Sequence, residues 1–401
     1  MLREIKKPNR DHARRVLQCL VVAIRPLRVE ELAEVLAVDF DDAEGVPKLK
    51  PNWRWEDQEQ ALLISCSSLI TIVGKGFSRV VQFSHFSVKE FLTSTRLATA
   101  SQDVLRYHIA LNPAHTILAQ ACTSVLLQDD VQVAKNGPLA RYAAKFWVRH
   151  AQFEDVASRI KGMEYLFDTD KPYFAAWRKL HDIDADSPDF YSFTSWHFKG
   201  SPGTPLYYAA LCGFRNIVEQ LTIKHSKYVR SIGGRFMTPA VAALAGRHFE
   251  VARILRRKGS SVNPRDFSGN SPLHYAVYYM DLEMVQVLFD CGAGINARNR
   301  AGSTSLLYAL KRHAQSTDPG VVLWLLNHGA DPNVPNDDGR TSLHVALGSG
   351  RIEIARLLVE HGASVMVKDM DGRTPLDYVS GEQRDELKKL YRAKRENCCI
   401  M

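Results

Sequence analysis

The 401-residue sequence predicts a mainly α-helical protein whose second half is a solenoid of stacked helix pairs. Two observations lead to this fold class. A segment that opens with threonine or serine recurs six times, at intervals of 34, 33, 33, 37 and 33 residues. Each recurrence is followed by apolar residues at helical spacing, as in residues 352–358. Because a chain of this length exceeds what one hydrophobic core supports, we expect at least two domains.

The repeat starts share one local chemistry. A threonine or serine side chain can cap the first helix of each pair, and a following proline fixes its first turn. A glycine two residues earlier suits a hairpin that needs a positive φ. The starts are Thr204, Thr238, Ser271, Thr304, Thr341 and Thr374, and the glycines of the last four are Gly269, Gly302, Gly339 and Gly372.

This pattern resembles ankyrin repeats. The resemblance implies about five full repeats and a C-terminal capping repeat over residues 204–387, followed by a basic tail at 388–401. The second repeat is the least regular, with Ala240 where leucine is usual. The fourth has a four-residue insertion around 314–319, which we place in a loop between its two helices.

Residues 1–100 predict a separate domain of three helices and a hairpin. The helices are expected at 11–24, 29–37 and 56–70, and the strands at 69–73 and 79–83. Gly74-Lys75-Gly76 suits the turn between the strands, and Ser87 is a candidate cap for the next helix. Three helices and a hairpin form a winged helix.

Three runs in this domain carry a second resemblance, at residues 25–33, 66–70 and 83–92. They look like the winged-helix module that follows the nucleotide-binding domain in fungal NACHT proteins with C-terminal ankyrin repeats. These 401 residues contain no Gly-x-x-x-x-Gly-Lys-Ser/Thr motif, and Gly74-Lys75-Gly76 has neither its spacing nor its following helix. The ATP-driven oligomerisation of that family is therefore not carried over.

Residues 101–185 predict a helical connector, and residues 186–203 a polar linker. Helices are expected at 115–127, 139–151, 156–167 and 173–183. Five aromatic residues of the connector are interpreted as packing residues. They are Trp147, Tyr165, Phe167, Phe174 and Trp177.

The search for reactive chemistry predicts no enzyme activity, no catalytic residue, no metal and no cofactor. No metalloprotease, nucleophile-elbow or dinucleotide-binding motif occurs. Asp182, Asp184 and Asp186 imitate the start of a calcium loop, but Ser187 and Phe193 replace its glycine and glutamate. Cys66 and His85 lie in apolar runs, so a structural role outweighs a thiol nucleophile. Seven cysteines without metal-ligand spacing indicate reduced thiols.

The predicted binding surface follows from the ankyrin resemblance, which implies a concave face lined by hairpin tips and the ends of first helices. Tyrosine and arginine, the residue types that dominate interfaces, are frequent there. Tyr208, Tyr275, Tyr308 and Tyr378 are assigned instead to packing between repeats. The candidate contact residues are Arg235, Phe267, Asn270, Tyr278, Tyr279, Arg300, Lys311, Arg312, Asp337, Arg340 and Arg373.

The C-terminal tetrapeptide, residues 398–401, fits a C-a-a-X box with Cys398 as the farnesylated residue. Cys399 stands where an aliphatic residue is commoner, and a chance tetrapeptide on a basic capping helix is the alternative. The last 14 residues contain five cations and one Glu, and we interpret the positive net charge of +8 chiefly as a property of this tail. The cations that would assist a lipid anchor are Lys388, Lys389, Arg392, Lys394 and Arg395.

The sequence therefore predicts a non-enzymatic scaffold that binds a partner protein on its concave ankyrin surface. An alternative is the regulatory portion of a NACHT-type NTPase, and a second is DNA binding through the winged helix. The last ranks low because residues 56–69, the predicted third helix, contain no Lys or Arg to meet a groove. No apolar run approaches the roughly 20 residues of a membrane span, so a cytoplasmic protein is expected, held on a membrane only by a lipid.

Overall fold

The computed structural model describes residues 2, 5–41, 45–99, 101–128, 137–184, 201–311 and 319–398, without the side chains of 67, 77 and 395–398. The chain forms two compact units. The first comprises Met1–Asp186 and Cys212–Gln220, and the second comprises Ser187–Leu211 and Leu221–Met401. The predicted mainly α fold class is confirmed. None of the described helices is both long and apolar enough to cross a bilayer.

The winged helix occupies the start of the first unit. Its sheet has the order β1-β5-β4, with Leu27 opposite Val81 and Ile70 opposite Phe83. Its elements are α1 (Arg10–Val22), β1 (Leu27–Arg28), α2 (Val29–Leu36), β2 (Val38–Asp39), β3 (Lys48–Leu49), α3 (Gln58–Cys66), β4 (Ile70–Val73), β5 (Val80–Phe83) and α4 (Phe86–Thr93).

The structure adds strands that the sequence analysis missed. Strand β1 joins the predicted hairpin as a third strand, and β2 pairs with β3 in a separate two-stranded sheet. Each of these three strands is two residues long, too short for alternation to be read in a sequence. The cap of α4 was also predicted wrongly, because His85 rather than Ser87 occupies the N-cap and its ring accepts a hydrogen bond from the Ser87 N–H.

Buried carboxylates fix α2 within the first unit. Glu31 is fully buried and receives the Arg25 guanidinium at 2.6 Å and the Arg28 guanidinium at 3.0 Å. Burial disfavours the charged carboxylate, but these hydrogen bonds outweigh it and lower the pKa of Glu31. Glu34 accepts from the Leu139 N–H at 2.6 Å and so ties α2 to the connector.

The connector packs around an aromatic core. Trp147 and Trp177 meet edge to face with ring centroids 5.2 Å apart, and Phe167 lies 5.9 Å from Trp177. Tyr165 is the exception to the predicted packing role, since it is exposed. Helix α5 (Thr95–Ala98) ends the first hundred residues. The connector helices are α6 (Gln102–Leu105), α7 (Leu111–Leu126), α8 (Ala140–Ala151), α9 (Met163–Leu166) and α10 (Tyr173–Leu180).

One predicted connector helix is wrong. Residues 156–167 form a 3-10 turn at Val156–Arg159 and the short helix α9, separated by Gly162 at φ +80°. A left-handed residue interrupts a right-handed helix, and glycine is the residue that adopts it at least cost.

The repeats form successive helix pairs, which belong to the second unit except for residues 212–220 of the first repeat. The pairs are α11 (Pro205–Leu211) with α12 (Arg215–Lys224), α13 (Pro239–Ala245) with α14 (Phe249–Arg257), α15 (Pro272–Tyr278) with α16 (Leu282–Asp290), α17 (Ser305–Ala309) with α18 (Gly320–Asn327), and α19 (Ser342–Gly348) with α20 (Ile352–Glu360). A 3-10 turn at Pro375–Tyr378 and α21 (Gly381–Cys398) follow. Residues 312–318, most of the predicted insertion, lie outside the described residues.

The predicted caps are confirmed. The hydroxyls of Thr204, Thr238 and Thr304 each accept the backbone N–H three residues later, at 3.3–3.4 Å. Ser271 and Thr341 form capping boxes with the histidine at the third helical position. Each first helix is only five to seven residues long, so capping and stacking rather than length hold it.

Candidate functional site

Each of the last four hairpins is shaped by an Asp or Asn five residues before the threonine or serine. Its Oδ1 accepts two backbone N–H groups, two and four residues later, at 2.7–3.1 Å. The side chain thus provides the acceptor for the backbone N–H groups of its own turn. The sequence analysis missed these residues, although they recur in step with the threonines. They are Asp266, Asn299, Asn336 and Asp369.

Neighbouring hairpins are joined side by side through their backbones. The N–H groups of Arg300, Asp337 and Met370 donate to a carbonyl of the preceding hairpin at 3.0, 3.1 and 3.0 Å. The hairpin tips therefore form one continuous, regularly spaced edge. A surface built on such an edge is pre-organised, which lowers the entropy cost of binding.

This edge presents a row of four side chains, each four residues before a repeat start. We call Phe267, Arg300, Asp337 and Met370 the hairpin row. Phe267 is 66% exposed and Met370 is 79% exposed, so two large apolar groups end the row. Arg300 and Asp337 are exposed between them, and Asp337 pairs with Arg298 at 3.2 Å. The row is thus apolar at both ends and charged in its middle.

A second group of side chains lies at the ends of the first helices. Tyr278 contacts the ring of Tyr279 at 5.2 Å and that of Tyr308 at 5.6 Å between centroids. The Lys311 Nζ lies 5.8 Å from the Tyr308 ring, within cation–π range. We call Tyr278, Tyr279, Tyr308 and Lys311 the aromatic shelf. Burial and the Asp266 carboxylate raise the pKa of Tyr308, which keeps its hydroxyl neutral.

The structure therefore places six of the predicted contact residues on these two groups. Phe267, Arg300 and Asp337 belong to the hairpin row, and Tyr278, Tyr279 and Lys311 belong to the aromatic shelf. Tyr308, assigned to packing, contacts Tyr275 of the preceding repeat at 6.4 Å but is also half-exposed on the shelf. Met370 is a row residue that the sequence analysis did not name.

The remaining predicted residues lie elsewhere. Asn270 is 4% exposed and donates to the Tyr275 and Tyr308 hydroxyls, both at 3.4 Å, so it supports the aromatic shelf from beneath. Arg340 lies 3.7 Å from Asp369 and 3.8 Å from Asp371.

Arg235 is half-buried, with its guanidinium 5.7 Å from the Phe236 ring. Arg373 is exposed beside the last hairpin, and its backbone N–H donates to Asp369. Arg312 lies outside the described residues.

Buried histidines join two of the first helices to the hairpin that follows. In the third repeat, His274 accepts the Ser271 N–H through Nδ1, and its Nε2 donates to the Ser303 carbonyl at 3.0 Å. His344 makes the equivalent bond to the Arg373 carbonyl at 3.2 Å. Burial lowers the pKa of His274 to about 4. In the third and fifth repeats, the histidine ring therefore links the first helix to the next hairpin.

Cys66 and His85 do not form a reactive pair. Cys66 is buried and its thiol lies 3.8 Å from the Ala13 carbonyl, while His85 is exposed and hydrogen-bonded to Ser87. Burial raises the pKa of Cys66 to about 12, the opposite of an activated thiol. Over the described part of the chain, no group of three His, Cys, Asp or Glu could hold a metal. Asp186, Ser187 and Phe193 of the calcium-like run lie outside it.

The tail is described as part of α21, with Lys389, Arg392 and Lys394 exposed and Lys388 half-buried. The side chains of Arg395 and Cys398, and all of residues 399–401, lie outside the description. Farnesylation of Cys398 therefore stays a prediction.

Comparison with known proteins agrees with both parts of this architecture. Residues 206–299 and 306–398 match the family model for ankyrin repeats (3 copies). Residues 2–102 match the model described as "GPI inositol-deacylase, winged helix domain". The attribution to fungal NACHT proteins stays a prediction.

One curated relative is "Azaphilone pigments biosynthesis cluster protein L" of Monascus ruber, 28% identical over 273 residues. The match covers 63% of this chain and 56% of that protein, so the chain spans about half the length of this relative. A solved ankyrin repeat domain from Acinetobacter baumannii AYE is 26% identical, with a TM-score of 0.39, over 47% of this chain and 96% of that one. The chain is thus similar to ankyrin repeats over its second half and to the winged helix domain of GPI inositol-deacylase over residues 2–102.

Proposed function

We propose that this protein is a non-enzymatic scaffold that binds a partner protein across the hairpin row and the aromatic shelf. The observation that carries the proposal is the exposure of Phe267 and Met370, at 66% and 79%, on hairpins fixed by backbone hydrogen bonds. Large apolar side chains held in water by a rigid frame mark interaction sites. Ankyrin repeats themselves favour protein–protein interaction.

The charge pattern indicates the partner's chemistry. Arg300 is exposed and makes no ion pair among the described residues, so a partner carboxylate can pair with it. Lys311 beside the Tyr308 ring offers a second cation next to an aromatic surface. A complementary segment would therefore present apolar side chains to the ends of the row and acidic ones to its middle and to the shelf.

The test is affinity capture from the source cells with the full chain as bait. Phe267→Ala combined with Met370→Ala should abolish capture of a specific partner, because each removes a large exposed apolar anchor. Met366→Ala is the matched control, since Met366 is 65% exposed and lies four residues before Met370, outside the hairpin row. A partner retained by the row variant, or lost equally in the control, would refute the proposal.

A second candidate is favoured by the winged helix. The match over residues 2–102 is consistent with the regulatory portion of a NACHT-type signalling NTPase. Co-purification of a nucleotide-binding protein that is lost on deletion of residues 1–100 would support it. A captured partner that binds the repeats alone would exclude it.

Farnesylation of Cys398 remains part of the proposal, as a means of holding the scaffold at a membrane. Intact mass of the chain expressed in a eukaryotic cell, compared with Cys398→Ser, tests it directly. A farnesyl-sized gain that is lost in the variant supports the anchor. An unmodified mass reduces the tail to a capping helix.

A further inference from the structure

A strongly basic segment lies in the first two repeats. Residues 224–258 contain nine Lys and Arg against one Glu, a net charge equal to the +8 of the whole chain. The last 14 residues contain five against one. The solenoid thus contains a segment with more net positive charge than the tail, although residues 204–387 as a whole carry 21 Lys and Arg against 18 Asp and Glu.

The cations gather where successive second helices end. Lys224 ends α12, a 3-10 turn runs from Ser226 to Arg230, and Lys258 is the C-cap of α14. The Arg230 Nε lies 3.4 Å from the position of a Cβ added to Gly259, which brings Arg230 beside Lys258. One basic surface therefore covers the C-terminal ends of α12 and α14, the second helices of the first two repeats.

The second helix of the third repeat, α16, extends this surface. The Arg256 Nε donates to the Cys291 carbonyl at 2.6 Å, and its guanidinium lies against Gly292. Cys291 is the C-cap of α16. The guanidinium thus spans from one repeat to the next. We define the basic surface as Lys224, Lys227, Arg230, Arg256, Arg257 and Lys258, all of which are exposed.

Stabilisation of helix ends does not account for this concentration. Cations at a helix C-terminus interact favourably with its dipole. The later second helices nevertheless end in Asp290, Asn327 and Glu360, so the repeat fold does not require cations there.

Internal neutralisation does not account for it either. Arg247 pairs with Asp281 at 2.9 Å, and Arg253 with Glu250 at 2.5 Å. By contrast, no ion pair within the described residues includes Arg230, Arg257 or Lys258. These charges remain available to an external anion.

Exposed aliphatic side chains flank the cations. Ile223 is 79% exposed next to Lys224, and Ile232 is 57% exposed two residues after Arg230. Aliphatic side chains among Lys and Arg are the composition that binds the headgroup region of an anionic bilayer. A single-stranded nucleic acid would instead stack its bases on exposed aromatic rings. The Tyr228 ring, which lies 5.5 Å from the Lys227 Nζ, is half-buried.

We propose that the basic surface, with Ile223 inserted between headgroups, binds membranes that contain anionic lipids. Each basic residue near such a surface contributes about 1 kcal/mol, or roughly fivefold in partitioning. The interaction is independent of a farnesyl group and uses the side of the repeats where the second helices end. A partner protein on the hairpin row is not needed for it.

The experiment is sedimentation of the full chain, expressed in bacteria and therefore not prenylated, with phosphatidylcholine vesicles that contain or lack phosphatidylserine. We expect binding only to the anionic vesicles. Arg257→Gln with Lys258→Gln should reduce partitioning about 25-fold, as two residues at fivefold each. Ile223→Ser should reduce it severalfold.

Lys75→Gln with Lys89→Gln is the matched control, because it removes the same charge from exposed positions that belong neither to the basic surface nor to the proposed partner-binding groups. Its partitioning should stay within about twofold of the parent, since screened charges distant from the lipid contribute little. Far-UV circular dichroism of each variant verifies that the solenoid is folded. Equal losses in the control and test pairs would overturn the proposal, as would absence of vesicle binding. Binding to an oligonucleotide or to polyglutamate without vesicle binding would also overturn it.

Discussion

Replacing Asn336 by Ala tests the origin of the rigid hairpin edge. Asn336 is 8% exposed, and its Oδ1 accepts the backbone N–H of Asp338 at 3.1 Å and that of Arg340 at 2.8 Å. Each intramolecular hydrogen bond contributes about 1 kcal/mol net, because the unfolded chain bonds to water instead. Alanine removes this acceptor and with it both hydrogen bonds, so we expect the free energy of unfolding to fall by at least about 2 kcal/mol.

Asn336→Asp is the matched control. A carboxylate keeps the Oδ1 acceptor, and Asp266 and Asp369 already occupy the equivalent place in two other hairpins. This variant loses only the hydrogen bond that the Asn336 Nδ2 donates to the Asp338 Oδ2 at 3.1 Å, so it should cost about 1 kcal/mol. Urea titration followed by far-UV circular dichroism measures both values. If Asn336→Ala is as stable as the parent, or if both variants lose the same amount, the side-chain acceptor does not hold the hairpin.

Three further outcomes follow from other described contacts. Gly372→Ala should lower the free energy of unfolding by about 1–2 kcal/mol, for its left-handed φ alone. Gly302→Ala should lower it more in the same urea assay, since its Cβ would lie 2.8 Å from the backbone N of Asp337. Equal losses in the two variants would refute this. His274 is neutral in the folded protein, because burial lowers its pKa to about 4. The stability that it contributes is therefore complete above pH 6.5 and is lost as the pH falls from there toward 4. His274→Gln should flatten that part of the pH profile of the free energy of unfolding, and an unchanged profile would contradict the assignment. Because burial raises the pKa of Cys66 to about 12, native alkylation of this thiol, followed by peptide mass spectrometry, should be slow and should accelerate only in urea.

The repeats could be predicted because their determinants are local. A threonine that caps the N–H three residues later and a glycine that must adopt a positive φ act within one turn of chain, as Thr304 and Gly302 show. The same reasoning failed at His85, whose ring replaced the expected Ser87 hydroxyl as a cap. It also failed at residues 156–167, where the backbone at Gly162 outweighed the apolar spacing of a helix.

The sequence by itself determined the solenoid, its period and the positions of the hairpin tips, because caps, turns and apolar periodicity are written into short segments. Only the tertiary structure decided which of those side chains reach solvent. Asn270 and Phe267 are both hairpin residues, yet stacking of the next repeat buries the first and leaves the second in water. The same stacking sets Arg230 beside Lys258, 28 residues later in the chain, and thereby forms one basic surface from separate helix ends. Burial and charge clustering depend on neighbours that are distant in sequence, and a local pattern does not specify them.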